Sequence, residues 1–140
     1  MECTVHWVPA AGMVFAAETG SGHVLTMDGA ADGGGRNLAP RPMETLLAGA
    51  GGCTAYDVVL ILKRGRHSVT GCRVAMKAQR AEQDPKVFTQ IHLHFAVSGR
   101  GLDPAAVERA IALSHEKYCS ATIMLGRTAG VTTSFELVEA

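Results

Sequence analysis

Aromatic residues are scarce: Phe, Trp and Tyr together make up 5% of the 140-residue chain. Platforms that stack nucleobases need several aromatic faces, so single-strand nucleic-acid binding is not expected. Excess charge of one sign is missing too, with 13 Lys and Arg against 13 Asp and Glu. Proteins that hold nucleic acid or an anionic membrane surface carry a basic surplus, so neither partner is expected. Met1–Trp7 has no basic segment leading into an apolar run, so no signal peptide is read there and the cytoplasm is the expected compartment. Also missing is any Cys-x-x-Cys: Cys3, Cys53, Cys72 and Cys119 stand 50, 19 and 47 residues apart. That spacing removes zinc ribbons and thioredoxin-type motifs. In a reducing compartment these thiols are free unless they do redox work. There is no Gly-x-Ser-x-Gly and no Ser-His-Asp signature.

What is present is apolar. Hydrophobic residues reach 47% and charged residues only 19%, which suits one folded domain over residues 1–140. Thr4–Val8, Met13–Ala17 and His23–Met27 read as short strands of an antiparallel meander. Asp28–Pro40, with three consecutive glycines, reads as a mobile loop; it lacks the Lys-Ser/Thr ending of a phosphate-binding loop. Pro42 opens a helix that runs to about Lys63, apolar on nearly every side as a central helix is. Glu44 and Asp57 inside it, and the basic residues flanking it, argue for a core helix rather than a membrane span. Gly49, Gly51 and Gly52 point to a second backbone passing close to the helix just before Cys53.

Gly71–Arg80 and Val87–Ser98 alternate as half-buried strands, the second with Val87, Thr89, Ile91, Leu93, Phe95 and Val97 inward. Asp103 caps a second helix whose inner stripe is Val107, Ala110, Ile111, Ser114 and Tyr118. Val131–Leu137 is a last strand. The order βββ-α-ββ-α-β makes an α+β fold with a mostly antiparallel sheet, taken as six-stranded, and a long central helix. That helix is too apolar for one sheet to cover, so a second subunit is expected on it.

The chemistry-bearing residues leave alternatives open. Cys53, deep in the apolar helix, is either a small buried hydrophobe or a thiol that needs a cation to offset Asp57 one turn away. Cys119, at a helix start, is expected to have a depressed pKa. Cys72 and Cys3 read as structural. His115 stands one turn before Cys119, either as a proton acceptor for it or as a surface histidine. His92 and His94 form a His-x-His with no third ligand in the pattern, as on a solvated strand face.

Arg41-Pro42-Met43-Glu44-Thr45-Leu46-Leu47-Ala48-Gly49-Ala50-Gly51-Gly52-Cys53-Thr54 resembles the first-cysteine helix of the OsmC/Ohr family, and His115-Glu116-Lys117-Tyr118-Cys119-Ser120 its second-cysteine segment. Val131–Glu136 is similar to the family's last strand, and Pro-Met-Glu with Gly-Gly-Cys is most like the YhfA-like branch. The resemblance implies an OsmC-like, intertwined homodimer with sites at the subunit interface, and a thiol peroxidase that needs no metal or organic cofactor. It implies that Cys53 attacks a hydroperoxide and Cys119 resolves the sulfenic acid to a disulfide. A dithiol reductant, lipoylated or thioredoxin-like, then restores the thiols. In the family's organic-hydroperoxide branch an N-terminal arginine, fixed by a glutamate ten residues before the cysteine, holds the thiolate. Here the first arginine is Arg36 and that position is Met43, so Arg41 or Arg36 is the candidate cation and Glu44 its anchor. Two other classes compete with the peroxidase: a non-catalytic dimer that binds a small apolar ligand at its interface, and a redox-sensing interaction protein.

Overall fold

The computed structural model describes all 140 residues. They divide into two compact units, Met1–Ala48 and Gly49–Ala140. In the first unit β1 (Cys3–Val8), β2 (Val14–Thr19) and β3 (Val24–Asp28) form an antiparallel sheet in chain order. This is the expected meander. It is a sheet of its own rather than part of one six-stranded sheet, because its strands hydrogen-bond only among themselves.

The Gly-rich stretch after β3 is not the loose loop its composition suggests. The side chain of Asp28, 1% exposed, accepts hydrogen bonds from the N–H groups of Gly29 (2.7 Å), Arg36 (3.0 Å) and Leu38 (3.1 Å). A short 3-10 turn at Ala31–Gly33 lies inside the stretch, and the Asp28 N–H is bonded to Pro40 O. Gly35 is required here: a Cβ on it would collide with the backbone of Gly29. One buried carboxylate thus replaces the hydrogen bonds that a loop would otherwise take from water.

The second unit holds β4 (Ser68–Arg80), β5 (Phe88–Arg100) and β6 (Gly130–Glu139) in that order. β4 and β5 pair antiparallel, as expected, but β6 runs parallel to β5. A parallel partner needs a crossover connection. It is supplied by α2 (Pro104–Leu113), a π-helical turn at Ser114–Tyr118 and α3 (Ser120–Leu125). Ile91, Leu93, Phe95 and Val97 are buried along one face of β5. At the start of that strand the expected phase fails. Gln79 pairs with Gln90 but Arg80 pairs with Phe88, a bulge that puts Phe88 in the core and leaves Val87 exposed.

The long helix α1 spans Pro42–Arg64 and crosses the boundary between the units. Its buried residues, Ala50, Thr54, Val58 and Leu62, recur every four positions and make one narrow stripe. With Val107, Ala110 and Ile111 of α2 and the inner face of β5, they form the core of the second unit. At Gly51 a Cβ would meet the Met76 sulfur at 2.7 Å, so that flexible side chain would have to move aside. So a side chain, not the expected second backbone, approaches this helix, and Gly49 and Gly52 face open space. α1 is long and apolar enough to cross a membrane by length and composition alone. Only 22% of its most apolar window is buried within the chain, and Leu46 and Tyr56 are exposed.

The Asp28 cradle has a direct test. The Leu38 N–H, then those of Arg36 and Gly29, hold its carboxyl below the usual range against the opposing effect of burial. A depressed folded pKa contributes stability that is fully present above the unfolded value, about pH 4, and is lost as pH falls through the lower folded value. Asp28→Ala removes the acceptor from three N–H groups. Limited proteolysis at neutral pH is expected to cut this variant between residues 29 and 38, and to cut the wild type there only under acid conditions.

Candidate active site

The cysteines converge inside the second unit. Cys53 sits on the half-buried side of α1, one residue before the buried Thr54, and Asp57 follows one turn later on the same side. Cys119 comes from the crossover. A regular helix through α2 would continue the stripe Val107, Ala110, Ile111, Ser114 to Tyr118. The π turn adds one residue to that turn, closed by Cys119 N–H to Ser114 O at 2.8 Å. The stripe slips by one: Cys119 is fully buried and Tyr118 is turned outward, 51% exposed, with Lys117 Nζ 5.3 Å from its ring centre. The reading of Tyr118 as an inner residue is corrected by this single insertion.

The sulfurs of Cys53 and Cys119 and a carboxylate oxygen of Asp57 all lie within 4.8 Å of one another. All four cysteines are free thiols. Ser114, 0% exposed, donates its hydroxyl to Asp57 Oδ2 at 2.9 Å. Its oxygen lies 2.8 Å from the buried Thr54 hydroxyl. Because the Ser114 proton is committed to a carboxylate, Thr54 is the donor in that second bond. The relay Thr54 to Ser114 to Asp57 therefore ties α1 to the crossover and fixes the carboxylate beside both sulfurs. Sequence reasoning placed Ser114 on the inner stripe but missed this link. The visible signal was two buried hydroxyls and an acid on facing helices, each needing a partner.

Burial pushes the Cys119 thiol above its ordinary pKa, and the neighbouring Cys53 adds to the rise. The Thr122 side chain and its N–H, 3.4 Å from the Cys119 sulfur, act the other way without cancelling it. The expected depression at a helix start is thus overturned: one N–H of a six-residue helix does not offset desolvation of the thiolate. Cys72, half-buried on β4, is likewise pushed up by burial, in keeping with a structural role, and Cys3 is exposed. A cleft of about 380 Å³ reaches Asp57 and is walled by Leu60, Ile61, Leu113 and Tyr118, with Arg64 at its edge.

The remaining candidates, His115 apart, have other partners. Arg41 is bound to Glu44, whose carboxylate takes its N–H at 3.0 Å and its guanidinium at 3.1 Å in an exposed pair at the start of α1. The Arg41 N–H and then its guanidinium hold Glu44 below the usual carboxylate range. The Arg36 guanidinium lies against Gly12. His115 Nδ1 is buried with no hydrogen-bond partner. His92 bonds Thr132 at 2.7 Å and Ser134 at 2.9 Å, and His94 bonds Ser134 at 2.8 Å and pairs with Glu136 at 3.5 Å. The His-x-His is thus spent on a polar ladder between β5 and β6.

Two thiols and a carboxylate, the carboxylate lining an apolar cleft, define a paired-cysteine site in an α+β frame. A family model described as "OsmC-like protein" matches residues 33–134, and the chain belongs to that family. It is 48% identical to Protein YhfA of Escherichia coli K12, over 100% of both chains. The crystal structure of a hypothetical protein from Aquifex aeolicus VF5 is 29% identical with a TM-score of 0.84, covering 99% of this chain and 96% of that one. The organic hydroperoxide resistance protein OhrB of Bacillus subtilis shares the fold, with a TM-score of 0.63 at 16% identity over 97% and 98% of the two chains.

Two measurements check the site. Ser114→Ala strands the Thr54 hydroxyl and strips Asp57 of its donor, so urea unfolding should show a loss of about 1–3 kcal/mol, the usual range for an orphaned buried polar group. Native-state alkylation of Cys119 should climb only at higher pH than in the denatured chain, because its folded pKa is raised. Equal pH profiles in the two states would contradict the burial argument.

Proposed function

We propose that the protein is a thiol-dependent peroxidase acting on organic hydroperoxides or hydrogen peroxide. The observation that carries this reading is the pair of free thiols, Cys53 and Cys119, with their sulfurs within 4.8 Å of each other. Membership of the OsmC-like family, and the shared fold with an organic hydroperoxide resistance protein, support it.

The two cysteines take different roles because their surroundings differ. Cys119 is fully buried and its thiol is held protonated, whereas Cys53 is partly exposed. Cys53 therefore attacks as the thiolate on one peroxide oxygen. The O–O bond breaks, Cys53 becomes a sulfenic acid, and the other oxygen leaves as an alcohol or water after taking a proton. Cys119 then attacks the sulfenic sulfur; the disulfide forms and water departs. A dithiol donor, lipoylated or thioredoxin-like, reduces the disulfide through a mixed disulfide and is itself oxidised. Arg41, steadied by Glu44 at the start of α1 and away from Cys53, is the cation we assign to the thiolate of the second subunit, with Arg36 as second choice.

The same reading takes the active form as a homodimer. The apolar surface of α1 left uncovered within one chain supports this, since an obligate interface of more than about 2,000 Å² would cover it.

With a dithiol donor the wild type should consume an organic hydroperoxide over many turnovers. Cys53→Ser should abolish turnover, and Cys119→Ser should leave a trapped sulfenic acid on Cys53. Peptide mapping after one equivalent of peroxide should find Cys53 joined to Cys119, with Cys3 and Cys72 free. Arg41→Ala should slow Cys53 alkylation near neutral pH. Thiols unchanged by peroxide would remove the peroxidase and favour a non-catalytic dimer that holds an apolar ligand; a single stoichiometric oxidation without turnover would favour a redox sensor. Sedimentation should give about 29 kDa, twice the 14.7 kDa chain, and a stable 14.7 kDa species would defeat the dimer.

A further inference from the structure

The geometry points to a second use of the same three side chains: we propose that, in the reduced protein, Cys53, Asp57 and Cys119 bind a divalent zinc-like cation. The donor atoms lie within 4.8 Å of one another. A tetrahedral zinc ion with Zn–S of about 2.3 Å and Zn–O of about 2.1 Å sets its ligands roughly 3.5–3.8 Å apart. Closing onto the ion thus asks each pair of donors to approach by about 1.3 Å at most, within the play of side-chain torsions.

Four features beyond distance favour a cation. First, Cys53 and Asp57 are spaced i and i+4 on one helix, so one face of α1 presents two ligands together. Second, the Asp57 carboxylate already has a buried hydroxyl donor, Ser114 at 2.9 Å, itself held by Thr54. Outer hydrogen bonds of this kind orient the ligands of metal centres. Third, the donor set selects the ion. Two thiolates favour zinc or copper(I), and a carboxylate beside them favours the divalent ion; magnesium and calcium want oxygen alone. Fourth, three protein ligands leave one position free for water, and one of the three, Asp57, lines an open cleft.

Binding displaces one proton from each thiol to solvent and changes no oxidation state. It also occupies both sulfurs. Resting on the peroxidase reading, this makes the cation a reversible cap: while it is bound neither sulfur is free to attack a peroxide, and once the disulfide forms the site is gone.

The test uses full-length reduced protein carrying Cys3→Ser and Cys72→Ser, titrated with cobalt(II) without oxygen. Thiolate-to-cobalt charge transfer and the visible bands of a tetrahedral ion should grow to one equivalent per chain, and zinc should bleach them. Cys53→Ser and Cys119→Ser should each lose the charge-transfer signature at one equivalent, and Ser114→Ala should weaken binding by about 10–100-fold. Circular dichroism reports whether each variant is folded. The same protein oxidised with diamide, which needs no further substitution, should bind no cobalt. Absence of charge transfer in the reduced protein, or an equal signal after diamide oxidation, overturns the site. Peroxide turnover separates the two readings: cobalt binding without turnover removes only the peroxidase, and turnover without cobalt binding removes only the cation site.

Discussion

The Ser114 hydroxyl is the hinge on which the arrangement of the second unit depends. It accepts from Thr54 and donates to Asp57, both on α1, from a position where it is wholly buried. Each of these groups is costly to bury alone, and each is satisfied only if the crossover meets α1 in one register. Apolar stripes slide with little loss; a hydroxyl relay does not. The same residue also begins the π turn and accepts the Cys119 N–H, so the register that satisfies Asp57 is the register that delivers the second sulfur. Structure and chemistry therefore share one constraint.

α1 illustrates how far a single chain can go. Four residues at four-residue spacing, Ala50, Thr54, Val58 and Leu62, give it a buried stripe much narrower than its apolar surface. Cys53 and Asp57 lie at the edge of that stripe, half-buried, where a side chain can meet both a protein partner and solvent. Placing them one position further round would either entomb the thiol as Cys119 is entombed, or leave it in open water beside Tyr56. The exposed remainder of the helix is the physical reason for proposing a second subunit, because apolar surface of this extent rarely stays in contact with water.

Much of this was legible in the sequence, and the failures have local causes. The element order, the Pro42 start of α1, the Asp103 cap and the alternation of β4 and β5 follow from periodicity and capping chemistry, and they are found. Val87 was misassigned because a bulge at the β5 start reverses the alternation, and pattern alone does not reveal an unpaired residue. The parallel pairing of β6 was hidden because strand direction is set by the crossover, not by the strand's own residues. The Gly-rich stretch was read from composition, while one buried carboxylate at Asp28 decides its conformation. The two cysteines were legible as a pair only through likeness to a family. Their spacing of 66 residues carries no geometry, and the one-residue slip that brings Cys119 inward lies in a π turn that a 3.6-residue period cannot express.

The electrostatics of the cluster give the last step. Desolvation pushes the Cys119 thiol toward its protonated form, and the proposed division of labour gives the attack to the more accessible Cys53. Asp57 lies beside both sulfurs. Two proposed events change the charge held there. A cation lets both thiols lose their protons at once, and oxidation removes the thiols altogether. A carboxylate beside a thiol pair is a poor choice for a site with one fixed charge state. On the proposed readings the site passes between a dithiol, a neutral disulfide and a cation-bound dithiolate, and a carboxylate favours each state that leaves the sulfurs without net negative charge.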